Sequence, residues 1–108
     1  MLTYSDVVVI NPILGPKKKG DVKNHILRDS WKFLIEKFYK DKVFFYPIIA
    51  NMLYAGPREA LQHSIIRQNL NFDYFCVGRD HAGAENLYHP EAAFKLINLY
   101  KKKFSIKI

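Results

Sequence analysis

The spacing of apolar residues along this chain switches between the period of a strand and that of a helix, and each switch marks an element. Residues 6–10, DVVVI, are a β-branched run that stops at Asn11-Pro12 and predict a buried strand. The loop 11–21, NPILGPKKKGD, follows, and Asp21 is placed to cap the next segment. There Leu27, Trp31, Leu34, Ile35 and Phe38 recur at helical spacing, which predicts an amphipathic helix over roughly 22–39. KVFFYPIIA, 42–50, returns to a continuous apolar run and predicts a second strand, with Pro47 suited to an edge or a bend.

A second helix is expected to start at Gly56-Pro57, an N-cap and first-turn pair, with Leu61 and Ile65 on its buried stripe. DYFCV, 73–77, predicts a third strand. Residues 90–103 predict a third helix, with Ala93, Ile97 and Tyr100 on one side and three lysines complementing its C-terminus. FSIKI, 104–108, reads as the start of a fourth strand. Apolar strands alternating with helices imply an α/β fold, a parallel sheet with helices on both faces. Ligands of such sheets bind beyond the carboxyl ends of the strands. The loops 11–21, 51–58 and 78–89 all follow strands and so are expected to converge on one edge. Without internal repeats or a linker, residues 1–108 read as one domain or part of one.

Composition narrows the partners. Lysine and arginine number 17 against 10 acids, a net charge of +7 that favours anionic ligands. The single cysteine, Cys76, permits no internal disulfide, and a cytoplasmic location is the expectation. No apolar run reaches the length of a membrane span, and the N-terminus does not read as a secretory signal. A nucleic-acid-binding role has the charge in its favour but neither a motif nor aromatic residues interleaved with the basic ones, so no nucleic-acid or membrane partner is expected.

Three loops carry candidate chemistry. In GPKKKGD, Lys17 to Lys19 lie between glycines, as an attractor of polyanions or as a solvated basic loop, and Lys18 is taken as its representative. In YAGPREA, the helix start at Gly56 leaves backbone N–H groups free beside Arg58, which suits an anion. Glu59, His63 and Arg67 follow at i, i+4 and i+8, either as a row that reaches a ligand or as an ordinary surface ladder. Leu53 and Tyr54 either wall a base or simply pack. In GRDHAG, Arg79 suits a phosphate or sulfate fork, Asp80 a steadying or turn-capping role, and His81 a hydrogen-bond donor or a charge switch. The alternative for that trio is a hydrogen-bonded turn. His25, His63, His81 and His89 lack metal-ligand spacing, and Cys76, mid-strand, reads as inert core, so no metal site is expected.

MLYAGPREALQHSIIRQN followed shortly by GRDHAG resembles the catalytic domain of the ATP sulfurylases, or sulfate adenylyltransferases, and NPILGPKKKGDV resembles an earlier loop of that family. Order and spacing agree over nearly the whole chain. The resemblance implies a Rossmann-like domain of the nucleotidyltransferase type, incomplete here. It implies reversible conversion of ATP and sulfate into adenosine 5′-phosphosulfate and pyrophosphate. By position, Gly78, Arg79, Asp80 and His81 match the family's ATP-binding strip, with Arg79 and His81 as catalytic residues. Ala82 matches a residue whose backbone lies at the sulfate. Lys18, Gly56, Arg58 and His63 become rim and anion candidates. ATP would arrive with Mg²⁺ as a substrate complex, without a tightly bound cofactor, and the full-length protein is expected to be a homo-oligomer.

Two departures qualify the match. Leu53 stands where bacterial single-function enzymes commonly have arginine, and the bifunctional phosphoadenosine-phosphosulfate synthetases share M-L-Y-A-G-P with this chain. Those synthetases usually have proline where this chain has His81, which favours the microbial branch. The family's Q-x-R-N-P-x-H-x-x-H motif does not occur in the sequence. The chain is therefore expected to be a fragment or shortened relative holding the middle of the site, inactive alone. The competing expectation is a non-catalytic nucleotide- or oxyanion-binding relative.

Overall fold

The computed structural model of the protein describes residues 2–16, 23–83 and 87–108. The chain divides into two compact units, Met1–Met52 and Leu53–Ile108.

The first unit is built on a parallel pair. Strand β1 (Val8–Ile10) and strand β2 (Val43–Phe45) align Val8 with Val43 and Ile10 with Phe45. Parallel neighbours need a crossover, and helix α1 (Asn24–Phe38) supplies it and packs on β2. The predicted strands 6–10 and 42–50 are thus shorter than their apolar runs. Pro12 and Pro47, which lack an N–H, interrupt the ladder, and pairing resumes beyond them at Ile13 and Ile48. Leu14 N–H donates to Ile48 O at 2.8 Å and Ile48 N–H to Pro12 O at 2.8 Å. Gly15 is required just after this, because a Cβ there would collide with the Ala50 carbonyl.

Helix α1 keeps a narrower stripe than its spacing suggests. Leu27, Trp31 and Ile35 are half-buried, whereas Phe38 is 62% exposed and Leu34 lies at the surface too. Lys23 occupies the N-cap position without a side-chain cap, and the expected cap, Asp21, lies outside the described residues. The helix leads into β2 through Asp41, whose left-handed φ of 68° an aspartate tolerates better than most residues.

The second unit packs helix α2 (Pro57–Asn69) against helix α3 (Ala92–Tyr100), which runs on into a single 3₁₀ turn, Lys101–Lys103. Pro57 at the first turn after Gly56 matches the sequence expectation. The helix ends in a Schellman arrangement: Asn71 adopts φ 64°, its N–H reaches Gln68 O, and Phe72 N–H reaches Arg67 O at 3.2 Å. Ala60, Val77, Ala93 and Ile97 form the core, with Leu61, Phe75 and Phe104 packed around it.

Three expectations fail in this unit. Leu61 is only half-buried and Ile65 is 45% exposed; the buried face of α2 is Glu59, Ala60, His63, Ser64 and Arg67. Tyr100 is exposed, because α3 has delivered its buried face by Ile97. Residues 73–77 and 104–108 form no strands but share one parallel bridge, Tyr74 with Lys107. Phe75 N–H and Lys107 N–H make its two bonds, and Gln68 Oε1 secures the neighbouring Ser105 N–H at 2.9 Å. Among the described residues the sheet therefore has two strands, in a small α/β protein with three helices. None of those helices is long and apolar enough to cross a membrane.

Candidate functional site

The second and third of the unusual loops meet inside the Leu53–Ile108 unit. Helix α2 begins at Gly56, with φ 61° and ψ −126°, a conformation that only glycine adopts readily. Glycine is required there for space as well, since a Cβ would lie 2.6 Å from the Tyr88 ring. The Gly56 N–H donates to Ala82 O at 2.9 Å, which joins the helix start to the GRDHAG loop.

That loop is a tight turn. Gly83 N–H bonds Asp80 O at 3.1 Å, so Asp80 to Gly83 close a β-turn with His81 and Ala82 at its centre. Ala82 has φ 57°, the sign a type II turn requires at its third position, and Asp80 has φ 51°. The Asp80 N–H is anchored to Pro90 O at 2.8 Å, and its carboxyl lies over Gly83, where any Cβ would strike it. Asp80 thus serves the turn, and the turn in place of a longer strand end aims His81 at α2.

Below the turn lies a buried row of charged and polar side chains. Glu59, His63 and Arg67 are 2%, 4% and 5% exposed, so the surface-ladder reading of their spacing is wrong. Glu59 is the third residue of α2 and reaches back over the helix start. One carboxylate oxygen accepts the Leu53 N–H at 2.8 Å, and the other accepts the Ala55 N–H at 2.9 Å. This resembles a capping box with the acidic partner acting alone. The same carboxylate lies 3.4 Å from His63 Nε2. His63 Nδ1 is 2.9 Å from His81 Nε2, with the two rings edge to face. Phe75 closes the group, edge-on to His81 and beneath the Arg67 guanidinium, whose carbon lies 5.0 Å from the ring centre.

The electrostatics follow from burial. Loss of water pulls the His63 pKa down to about 4, assisted by His81 and the Arg67 cation and opposed by Glu59. Burial likewise lowers His81, and Arg67 pushes it the same way. Burial lowers Arg67 as well. At neutral pH the two imidazoles are therefore uncharged, and one can donate to the other.

Of the residues expected at the site, Gly56, His63, His81 and Ala82 come together. Arg58, Gly78, Arg79 and Asp80 are exposed, and among the described residues Arg58 and Arg79 make no ion pair. Lys18 lies outside the described residues. Cys76 is exposed and sits in an irregular segment, so its reading as inert strand core is corrected. Nothing in the sequence marks the clamp made by Glu59, the cover supplied by Tyr88 or the packing of Phe75 except the i, i+4, i+8 spacing of Glu59, His63 and Arg67. No cluster of three His, Cys, Asp or Glu able to hold a metal occurs among the described residues.

The ATP-sulfurylase family matches this sequence over residues 1–108. The chain belongs to that family. It is 44% identical over 98 residues to a sulfate adenylyltransferase of Pyrococcus abyssi, a match covering 90% of this chain and 26% of that protein. A sulfate adenylyltransferase of Ignicoccus hospitalis is 44% identical over 96 residues, covering 88% of this chain and 25% of its own length. One from Carboxydothermus hydrogenoformans is 39% identical across 99% of this chain. The chain thus spans about a quarter of the length of these ATP sulfurylases.

Proposed function

We propose that this chain is part of a sulfate adenylyltransferase, carrying the middle of the catalytic site of a Rossmann-like nucleotidyltransferase domain. The observation that carries this is the junction of two motifs: Gly56 bonded to Ala82, and His63 bonded to His81. Family membership supports the reaction, and the exposed Arg58 and Arg79 beside that junction support an anionic substrate.

In the proposed reaction a sulfate oxygen attacks the α-phosphorus of ATP in line, and pyrophosphate leaves. Both reactants are anions and sulfate is a poor nucleophile. Rate must come mainly from orientation and from positive charge held where negative charge develops. Arg79 would grip ATP phosphate, with Gly78 and Asp80 shaping the strip and His81 assisting. The backbone at Ala82 would lie at the sulfate. Arg58 and the N–H groups at the start of α2 would charge the rim. Mg²⁺ enters bound to ATP as part of the substrate. Cytoplasmic location and assembly into homo-oligomers belong to the same proposal for the full-length protein.

Titration of the 108-residue chain with pyrophosphate by calorimetry tests the anion site. Binding that weakens with added salt and disappears in Arg79→Ala is expected. Binding unchanged in Arg79→Ala would remove that residue from the site. Turnover from the chain alone is expected to be slight, because it spans a quarter of its relatives.

A further inference from the structure

The buried row of α2 has no task in the reaction as described, yet it ends on His81. Among the described residues, Glu59 and Arg67 from α2, and His81 from the turn, are the charged or titratable groups that act on His63. Among the same residues, Arg67 and Glu59 are those whose charge reaches His81. Two neutral imidazoles 2.9 Å apart can share only one proton along the line between them. The Glu59 carboxylate decides which ring supplies it. A lone pair on His63 Nε2 would face a carboxylate oxygen at 3.4 Å, whereas an N–H there is attracted.

We propose that Glu59 and His63 are positioning residues that set the tautomer of His81. Glu59 holds the His63 proton on Nε2. His63 Nδ1 then accepts from His81 Nε2–H, and His81 is left with an unprotonated Nδ1, which meets no partner among the described residues. Addition of one proton reverses the role of His81 Nδ1. The proton enters at His81 Nδ1, the His81 Nε2 proton passes to His63 Nδ1, and the positive charge rests on His63 between its two partners. An acceptor on His81 has become a donor. Burial and the Arg67 cation oppose that step in the free protein. A phosphate oxygen at His81 would favour it, so ligand binding is coupled to proton uptake. This last coupling rests on the proposed function; the tautomer itself does not.

Nuclear magnetic resonance of the chain with ¹⁵N-labelled histidine tests the arrangement. At neutral pH both rings are expected to be neutral, with scalar coupling across the Nδ1···Nε2 bond and the His81 proton on Nε2. A His81 proton on Nδ1 overturns the proposal. In Glu59→Gln the amide NH₂ can face His63 Nε2, and the His81 proton is expected to move to Nδ1, which a merely structural glutamate would not cause. If that variant does not fold, acid titration of the unsubstituted chain decides. The His81 Nδ1 resonance should then move to its protonated position as the pair takes up one proton, below the ordinary histidine range. Independent protonation of both rings at an ordinary histidine pKa contradicts the proposal. Calorimetry with pyrophosphate in two buffers should add uptake of about one proton per ligand. Absence of pyrophosphate binding would count against the proposed function, while the tautomer stands or falls on the spectra.

Discussion

Gly56 is constrained twice over, by its backbone conformation and by the ring packed on it. Its φ of 61° is costly for a residue with a Cβ, and the Tyr88 ring fills the space a Cβ would need. Strain of this kind is worth roughly 1–3 kcal/mol. Gly56→Ala is expected to lower stability by at least that much in urea unfolding, through the backbone and the displaced ring together. A change below about 0.5 kcal/mol, the scale of a neutral surface substitution, would mean the helix start can relax. Ala82 makes the opposite case. It holds φ 57° with a methyl group, at a cost of roughly 1–2 kcal/mol. Ala82→Gly is expected to stabilise the fold by somewhat less, because glycine also gains freedom in the unfolded chain. Such strain, kept at the loop that bonds Gly56, is in keeping with a site where a fixed backbone matters more than stability.

At the scale of elements, α2 is the unusual one, since it buries charge where helices ordinarily bury aliphatic side chains. Glu59→Ala would leave the Leu53 and Ala55 N–H groups without their protein acceptors; both bonds are part-buried and water can replace them in part, so a loss nearer about 1 kcal/mol each is expected in urea unfolding. Acid should act on the same row. Burial lowers the His63 pKa in the folded protein to about 4, whereas the unfolded chain takes up that proton near the ordinary histidine value of 6.5. Stability is therefore complete above pH 6.5, falls as pH drops through this window and levels off below about 4. At about 1.4 kcal/mol per unit the loss is on the order of 3 kcal/mol. His81 shifts in the same direction and adds to it. His63→Phe should flatten the dependence; an unchanged slope in that variant would show that other groups govern it.

Much of the fold is legible in the sequence because the apolar period is read locally: both parallel strands, all three helices and the Gly56-Pro57 start of α2 follow from it. What failed was nonlocal. DYFCV has strand composition, but a strand forms only where a neighbour supplies bonds along its length, and Lys107 supplies one bridge. Leu61 and Ile65 were expected inside by hydrophobicity, yet the side of α2 that is covered carries Glu59, His63 and Arg67. Three polar residues at helical spacing ordinarily lie in water, and nothing in the spacing itself tells that two backbone N–H groups, a second imidazole and Phe75 await them.

At the scale of the whole molecule, the chain supplies about a quarter of the length of the sulfate adenylyltransferases it matches. The proposed site is correspondingly partial, and its two arginines, Arg58 and Arg79, are exposed. The decisive measurement is made in a full-length relative. This chain would replace the corresponding segment of the Pyrococcus abyssi relative, to which it is 44% identical. Formation of ATP from adenosine 5′-phosphosulfate and pyrophosphate is then followed with and without Arg79→Ala. The chimera is predicted to turn over, and the substitution to lower its rate by about 10²–10³-fold, the usual cost of removing one donor from a transition-state anion. A folded chimera in which Arg79→Ala turns over as fast as the unsubstituted segment would contradict the account.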